Sequence, residues 1–505
     1  MRWLIAGLVV CGCWSLTAPV LEAGTPCAAL TSLTIPNTTI TAATMVAAGP
    51  LAGGQAVAPM PFCRVAGTLR PSNDSDITIE VWLPANNWNR KLQSVGNGAF
   101  SGAINYNAMA AALARGYAAA ATDTGHTGNT ASFGLGHPEK VIDFGWRAVH
   151  EMTVAAKLVI AAYYDAGPRY AYWNGCSAGG RQGMKEAQRF PEDYDGIIAG
   201  APGLDWTGRA AHAMRIAKTL EKNEAAQLAA PARALLHRAA LAACDIRDGL
   251  RDGLITLPMV CPFDPGELEC KSTERRDCLT AAQVATARLI YSGGVNPKTG
   301  RKIAGLSPGS ELGWTDTGWT ASARATGLDQ FRYLVVGDPA WTAQSFDFES
   351  DIARADAADR GTINALDTNL LPFFNRGGKL LQYHGWSDPQ ISPGNSVEYF
   401  TSVTQALGGA TTVEGSYRLF MAPGMGHCSG GEGPNTFDAV AALEQWVEHG
   451  RPPDHLDASH EINGKVDRTR PLCPFPGMAI YKGAGSQDEA ANYTCGPTPS
   501  NLRNR

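Results

Sequence analysis

No stretch beyond the N-terminus is long and apolar enough to span a bilayer as a helix, which takes about 20 residues, so a bundle of membrane-spanning helices is excluded. An excess of one charge sign is also lacking. The formal net charge of −5 is small for this size and gives no electrostatic case for nucleic acid or an anionic membrane as partner. There is no Cys-x-x-Cys pair and no histidine at ligand spacing, which leaves a zinc module without support. The run from Gly424 to Gly433 has no following Lys-Ser or Lys-Thr, so it is not a phosphate cradle and belongs with the histidine it surrounds. No internal repeat is present. Charged residues make up only 18% against 44% hydrophobic, a globular composition in which disorder is not the default.

What the chain does have is length, an apolar N-terminus and cysteine. At 505 residues it exceeds one ordinary core and implies a large catalytic domain with a substantial insertion, or two domains. Residues 1–23 read as an export signal. Arg2 supplies the positive charge, Leu4 to Val10 begins an apolar run, and Leu21-Glu22-Ala23 forms a cleavage site before Gly24. A membrane anchor would need a longer unbroken run, and a lipoprotein site at Gly12-Cys13 is the alternative. The mature chain is expected to be soluble and secreted or periplasmic. Removing Cys11 and Cys13 leaves ten of the 12 cysteines, an even number in an oxidising compartment. Sequence alone permits many pairings. Local proximity suggests Cys27–Cys63, Cys244–Cys261, Cys270–Cys278 and Cys473–Cys495, with Cys176–Cys428 as the long-range bond.

Strand and helix patterns alternate through the first 200 residues. Ile77 to Leu83 alternates with period two, and Lys91 to Val95 reads as a strand running into the turn Gly96-Asn97-Gly98. A helix is expected over Ala108 to Arg115, a strand over Tyr117 to Thr122, and a helix over about Phe144 to Ala162. Then come a strand at Tyr170 to Asn174, a helix at Gly179 to Arg189 and a strand at Asp195 to Gly200. Such alternation implies an α/β fold with a parallel sheet covered on both faces. From about residue 204 to 371 the pattern stops, and the segment reads as an inserted lid holding four cysteines. The alternation resumes with strands at Lys379 to Tyr383 and Tyr417 to Met421, followed by a helix at Phe437 to His449.

Gly175-Cys176-Ser177-Ala178-Gly179 is a G-x-S-x-G turn, which lifts a serine hydroxyl off the end of a strand. Alone it is a weak signal. Ser177, Asp388 and His427, however, follow the order nucleophile, acid, base, and each lies just past an expected strand, where an open α/β sheet places ligands. Each of Ser177 and His427 also has a cysteine as immediate neighbour. Asp388 could otherwise be a solvated turn aspartate, and His384 is the rival base, although it precedes the acid. His126, His137 and His150 read as structural. The amides of Ala178 and Gly98 are the expected oxyanion donors. A second constellation is Asp245, Asp248 and Asp252, spaced three and four apart among glycines, which would wrap a hard cation in a structural role. The competing reading is an acidic turn neutralised by Arg247 and Arg251.

Gly175-Cys176-Ser177-Ala178-Gly179-Gly180, His384-Gly385-x-x-Asp388, Gly426-His427-Cys428 and the Asp245 to Leu254 loop together resemble the tannase/feruloyl esterase family. The resemblance covers nearly all of the mature chain. It implies an α/β-hydrolase core, residues 24–203 and 372–505, with a lid at 204–371, and a disulfide between Cys176 and Cys428. It also implies a lid-bound Ca²⁺ held by Asp245, Asp248 and Asp252 with the carbonyls of Leu250 and Leu254. Known substrates in the family are feruloyl sugars, galloyl esters and a plastic-derived monoester.

The expected activity is therefore a secreted serine carboxylesterase acting on esters of hydroxycinnamic, gallic or related aromatic acids. The alternatives are a hydrolase of a terephthalate-type monoester, a peptidase or acyltransferase on the same fold, and a non-catalytic calcium-stabilised surface-binding protein. The expected partner is a small aromatic ester, with no nucleic acid and no membrane after signal removal, and the oligomeric state is open. Phe331, Arg332 and Tyr333, with Trp314, Trp319 and Trp341, would either wall the substrate or form core.

Overall fold

The computed structural model describes residues 24–498, apart from 52–53, 55, 272–276, 297–299 and 316–318. The expected export signal lies outside the described residues. Nine strands form one sheet: β1 (Thr38–Val46), β2 (Phe62–Leu69), β3 (Ile77–Pro84), β4 (Lys91–Val95), β5 (Ala118–Thr122), β6 (Tyr170–Cys176), β7 (Gly196–Gly200), β8 (Lys379–Gly385) and β9 (Tyr417–Ala422). Their spatial order is β1-β2-β3-β5-β4-β6-β7-β8-β9. The first three pair antiparallel with their neighbours up to β5, and the remainder run parallel. The α/β alternation read along the chain is thus the parallel part of an α/β-hydrolase sheet.

Alternate residues of each central strand face opposite layers, as a strand's two-residue period requires. Ala118, Ala120, Trp173, Ile197 and Leu380 pack against α2 (Ala148–Tyr164) and α3 (Ala178–Arg189). Ala119, Ala121, Tyr172, Ile198 and Leu381 pack on the other face against α1 (Tyr106–Ala114) and α9 (Ala439–His449). Alanines fill β5, which lets helices on both faces come close to the middle of the sheet.

Between β7 and β8 the chain builds α4 (Trp206–Lys222), α5 (Ala230–Cys244), α6 (Ala281–Ser292), α7 (Ala321–Asp329) and α8 (Phe348–Asp359). Side-chain N-caps start four of them: Asp205 accepts from the Gly208 amide, Thr280 from Gln283, Thr320 from Ala323 and Asp347 from Ser350. These helices share a second hydrophobic cluster that includes Met214, Leu236, Ile290 and Ile352. Trp314, Trp319, Phe331 and Trp341 lie inside that cluster, and the Arg332 Nε donates to the Trp341 carbonyl. The core reading of these aromatics is therefore the one the structure supports. Two hairpins close the chain, β10 (Leu456–Ile462) with β11 (Lys465–Leu472), and β12 (Gly477–Tyr481) with β13 (Tyr493–Pro497).

Candidate active site

Ser177 sits at φ +64°, ψ −122°, a conformation costly for any residue with a Cβ. The turn is held by the Ser177 amide donating to the Gly200 carbonyl (2.9 Å) and by the Arg181 and Gly203 amides donating to the Ser177 carbonyl. The glycines around it serve close packing. A Cβ on Gly96 would lie 2.4 Å from Gly179 Cα, and one on Gly180 would lie 2.4 Å from the Gly200 carbonyl oxygen. The start of α3 therefore rests directly on the ends of β4 and β7.

Asp388 follows β8 and is fully buried. Its Oδ1 accepts the amides of Gln390 (2.7 Å) and Ile391 (3.0 Å), and its Oδ2 accepts from His427 Nδ1 (2.7 Å). Burial alone would push this carboxyl up. The facing His427 and hydrogen bonds from His384 and His427 instead hold it well below the usual carboxylate range. With Nδ1 committed to Asp388, His427 keeps Nε2 as its free base position. His384 is sealed in, its Nδ1 2.7 Å from Ser396 Oγ and its Nε2 3.1 Å from Asp388 Oδ2, so it braces the acid and has no route to substrate. The His427 loop folds tightly on itself: a Cβ on Gly433 would lie 1.9 Å from the Pro423 carbonyl oxygen.

Ser177 and His427 line one cleft of about 490 Å³, together with Cys176, Cys428, the Gly96-Asn97-Gly98 turn, Trp206, Arg209, Thr326 and Ile391. The Cys176–Cys428 disulfide closes 252 residues of chain and sets Ser177 and His427 on its two flanks. The four locally expected pairs are bonded as well.

Sequence reading missed two residues, one that braces the cleft from behind and one that lines it. From α3, the Gln182 Oε1 accepts the Asn97 amide and its Nε2 donates to Asn97 Oδ1, both at 3.1 Å. Asn97 Nδ2 in turn donates to the Thr122 and Ala103 carbonyls. The glycine turn is thus stapled to the nucleophile's own helix, with Gly98 the next amide along the cleft. The second residue is Arg209 of α4, whose Nε donates to the Gln390 carbonyl and Nη1 to Thr326 Oγ1. Burial pushes its guanidinium down to about 10 against the pull of Asp388. No spacing in the sequence announces either contact, since both join distant segments.

The remaining histidines lie elsewhere. His126 is buried with its Nε2 2.8 Å from the Phe100 carbonyl, and His137 pairs with Asp74 at the surface.

The loop of Asp245, Asp248 and Asp252 is closed by Cys244–Cys261. Asp245 accepts the amides of Asp252 and Gly253, Asp248 that of Leu250, and Asp252 that of Leu254. The Asp252 carboxylate is buried and forms an ion pair with Arg470 of β11 at 2.6 Å, at an angle outside hydrogen-bond geometry. The three carboxylates share one loop yet do not converge as a set within 4.8 Å; among the described residues the set that does is His150, Glu186 and Asp193. In kind, oxygen donors from three aspartates and backbone carbonyls match a hard cation, with Arg470 the buried guanidinium beside them and Arg251 acting on Asp245.

A family model for tannase and feruloyl esterase matches residues 63–496. The chain belongs to the tannase and feruloyl esterase family. It is 36% identical to an uncharacterized esterase of Xanthomonas campestris pv. campestris, over 99% of this chain and 95% of that one. It is 32% identical to feruloyl esterase B of Aspergillus niger over 86% of each. The crystal structure of feruloyl esterase B from Aspergillus oryzae superposes with a TM-score of 0.88 at 30% identity, covering 93% of this chain and 99% of that one. Tannin acyl hydrolase from Aspergillus niger shares the fold, with a TM-score of 0.76 at 22% identity over 92% of each chain. This family member is a carboxylic ester hydrolase, and the reading as a non-catalytic binding protein gives way to that.

Proposed function

We propose that the enzyme hydrolyses esters of hydroxycinnamic, gallic or related aromatic acids through an acyl-enzyme on Ser177. One observation carries the reading. The strained elbow serine shares a cleft with a histidine whose Nδ1 is held by a buried, ionised aspartate, and a disulfide spans the two loops. In the reaction Ser177 Oγ attacks the ester carbonyl as His427 Nε2 takes its proton, and Asp388 stabilises the imidazolium that forms. The amides of Ala178 and Gly98 receive the oxyanion. The protonated His427 passes its proton to the leaving alcohol. Water, activated by the same histidine, then releases the acid. The relatives named for feruloyl and tannin esters support aromatic acids as the substrate class. The Arg209 guanidinium in the cleft favours, as a second reading, an ester whose acid carries a further carboxylate, the terephthalate monoester type among them.

The same proposal includes export of residues 24–505 after removal of the signal, with 204–371 acting as the lid. Five disulfides fit an oxidising compartment, and no helix among the described residues is long and apolar enough to cross a membrane. It also includes a structural Ca²⁺ on the Asp245, Asp248 and Asp252 carboxylates with the Leu250 and Leu254 carbonyls. The ion would neutralise crowded carboxylates beside β11 and take no part in the acyl transfer. Turnover of methyl ferulate, methyl gallate and a terephthalate monoester tests the substrate class, with aromatic esters expected to exceed short aliphatic ones. Equal or better turnover of acetate esters would contradict it.

A further inference from the structure

On the far side of the elbow helix from Ser177, α2, α3 and the turn before β7 bring a second set of chemical groups together. His150, Glu186 and Asp193 each place a ligand atom within 4.8 Å of the other two. His150 Nδ1 lies 2.7 Å from Asp193 Oδ2. Glu186 is completely buried, and neither of its carboxylate oxygens has a hydrogen-bond partner. A carboxylate in that position is costly unless a charge or a proton meets it. The nearby cation does not meet it: the Lys157 Nζ donates to the carbonyls of Asp193 (2.6 Å) and Glu192 (3.3 Å).

We propose that His150, Glu186 and Asp193 form a binding site for one divalent cation of the zinc class. One imidazole nitrogen and two carboxylates are a mixed donor set suited to a borderline cation, with water completing the shell. It differs from the oxygen-only set of the aspartate loop. An ion would meet the unpartnered Glu186 oxygens, and it would replace the direct His150–Asp193 contact. Entry is through the imidazole: the His150 side chain is 23% exposed and stacks on Phe190 with ring centroids 3.8 Å apart. Glu186 lies nine residues beyond Ser177, about 13 Å along the helix at 1.5 Å per residue. The ion would therefore tie the far end of the nucleophile's helix to α2 and stay out of the chemistry. Burial and the neighbouring Asp193 charge push the Glu186 carboxyl well above its usual range.

Purified full-length mature enzyme, stripped with chelator and given zinc or cobalt(II) in the presence of excess calcium, tests this by elemental analysis and by cobalt ligand-field absorption. The wild type is expected to bind one equivalent, Asp248→Asn to keep it, and His150→Ala and Glu186→Gln to lose it. His150 is partly exposed, so His150→Ala decides the matter if Glu186→Gln does not fold. A wild type that takes up neither metal overturns the site, as does full stoichiometry in His150→Ala. A metal-free Glu186→Gln that melts above a zinc-treated but zinc-free wild type would assign Glu186 to its neutral form instead, and equally overturns it.

Discussion

At the scale of single residues, the catalytic proposal rests on the ionised state of Asp388. Asp388 is kept ionised in a dry pocket by two backbone amides and two imidazoles, so its oxygens are positioned before substrate arrives. Asp388→Asn is expected to lower kcat by about 10⁴-fold with little change in KM, because the wrong His427 tautomer becomes favoured; steady-state kinetics on one aromatic ester measures it. Gln182 acts one step removed, by holding the Gly96-Asn97-Gly98 turn against the elbow. Removing an oxyanion donor outright costs about 10²–10³ in kcat, and Gln182→Ala, which only loosens the turn, should cost about tenfold. Arg209 separates the two substrate readings. Arg209→Gln is expected to raise KM by about 10–100-fold for an ester bearing a second carboxylate and to leave methyl ferulate nearly unchanged. Neither Gln182 nor Arg209 was legible in the sequence, because nothing local marks a contact made across 85 residues or between the insertion and a loop. Ser177, Asp388 and His427 were legible because chain order after successive strands is itself a geometric signal.

At the scale of elements, the Cys176–Cys428 bond couples the loops after β6 and β9, which no backbone hydrogen bond joins as directly. Replacing both cysteines with alanine is expected to lower kcat more than it changes KM. Stability must be followed in parallel, since opening a long loop costs up to about 5 kcal/mol in the chain-entropy account. Equal kinetics in the folded variant would refute a positioning role. A second clasp joins the insertion to the His427 loop. His237 of α5 has Nδ1 2.9 Å from Glu311 Oε2 and Nε2 3.0 Å from Glu432 Oε2, the latter directed outside hydrogen-bond geometry. Burial works against the imidazolium, but the two carboxylates raise it to about 9. The folded value exceeds the unfolded one of about 6.5, so the clasp's stabilisation is complete below that pH and is lost as pH rises toward 9. Denaturant titrations should show wild-type stability falling between pH 7 and 9 relative to His237→Gln; parallel curves would remove the clasp.

For the whole molecule, the parallel half of the sheet was readable because its strands are buried on both faces and separated by helical patterns. The edge was not. β1 is two-thirds threonine and alanine, with Ala43 as its buried residue and Met45 exposed, so it carries no clean apolar period to detect. The two C-terminal hairpins share that difficulty, and β11 matters because its Arg470 reaches the aspartate loop. Under the calcium proposal, loss of the ion is expected to be felt across the insertion and the tail together. Chelation is expected to lower the melting temperature by about 3 °C at unchanged pH, since an ion held at 100 times its Kd contributes about 2.7 kcal/mol; an unchanged melt would set the calcium proposal aside. The central claim, acyl transfer through Ser177, has a more direct test. Intact-protein and peptide mass spectrometry after quenching a brief reaction with a slowly deacylating nitrophenyl ester of an aromatic acid should place one acyl group on the peptide containing Ser177, and none in Ser177→Ala. Continued hydrolysis by Ser177→Ala, or an acyl group on any other residue, would contradict the account.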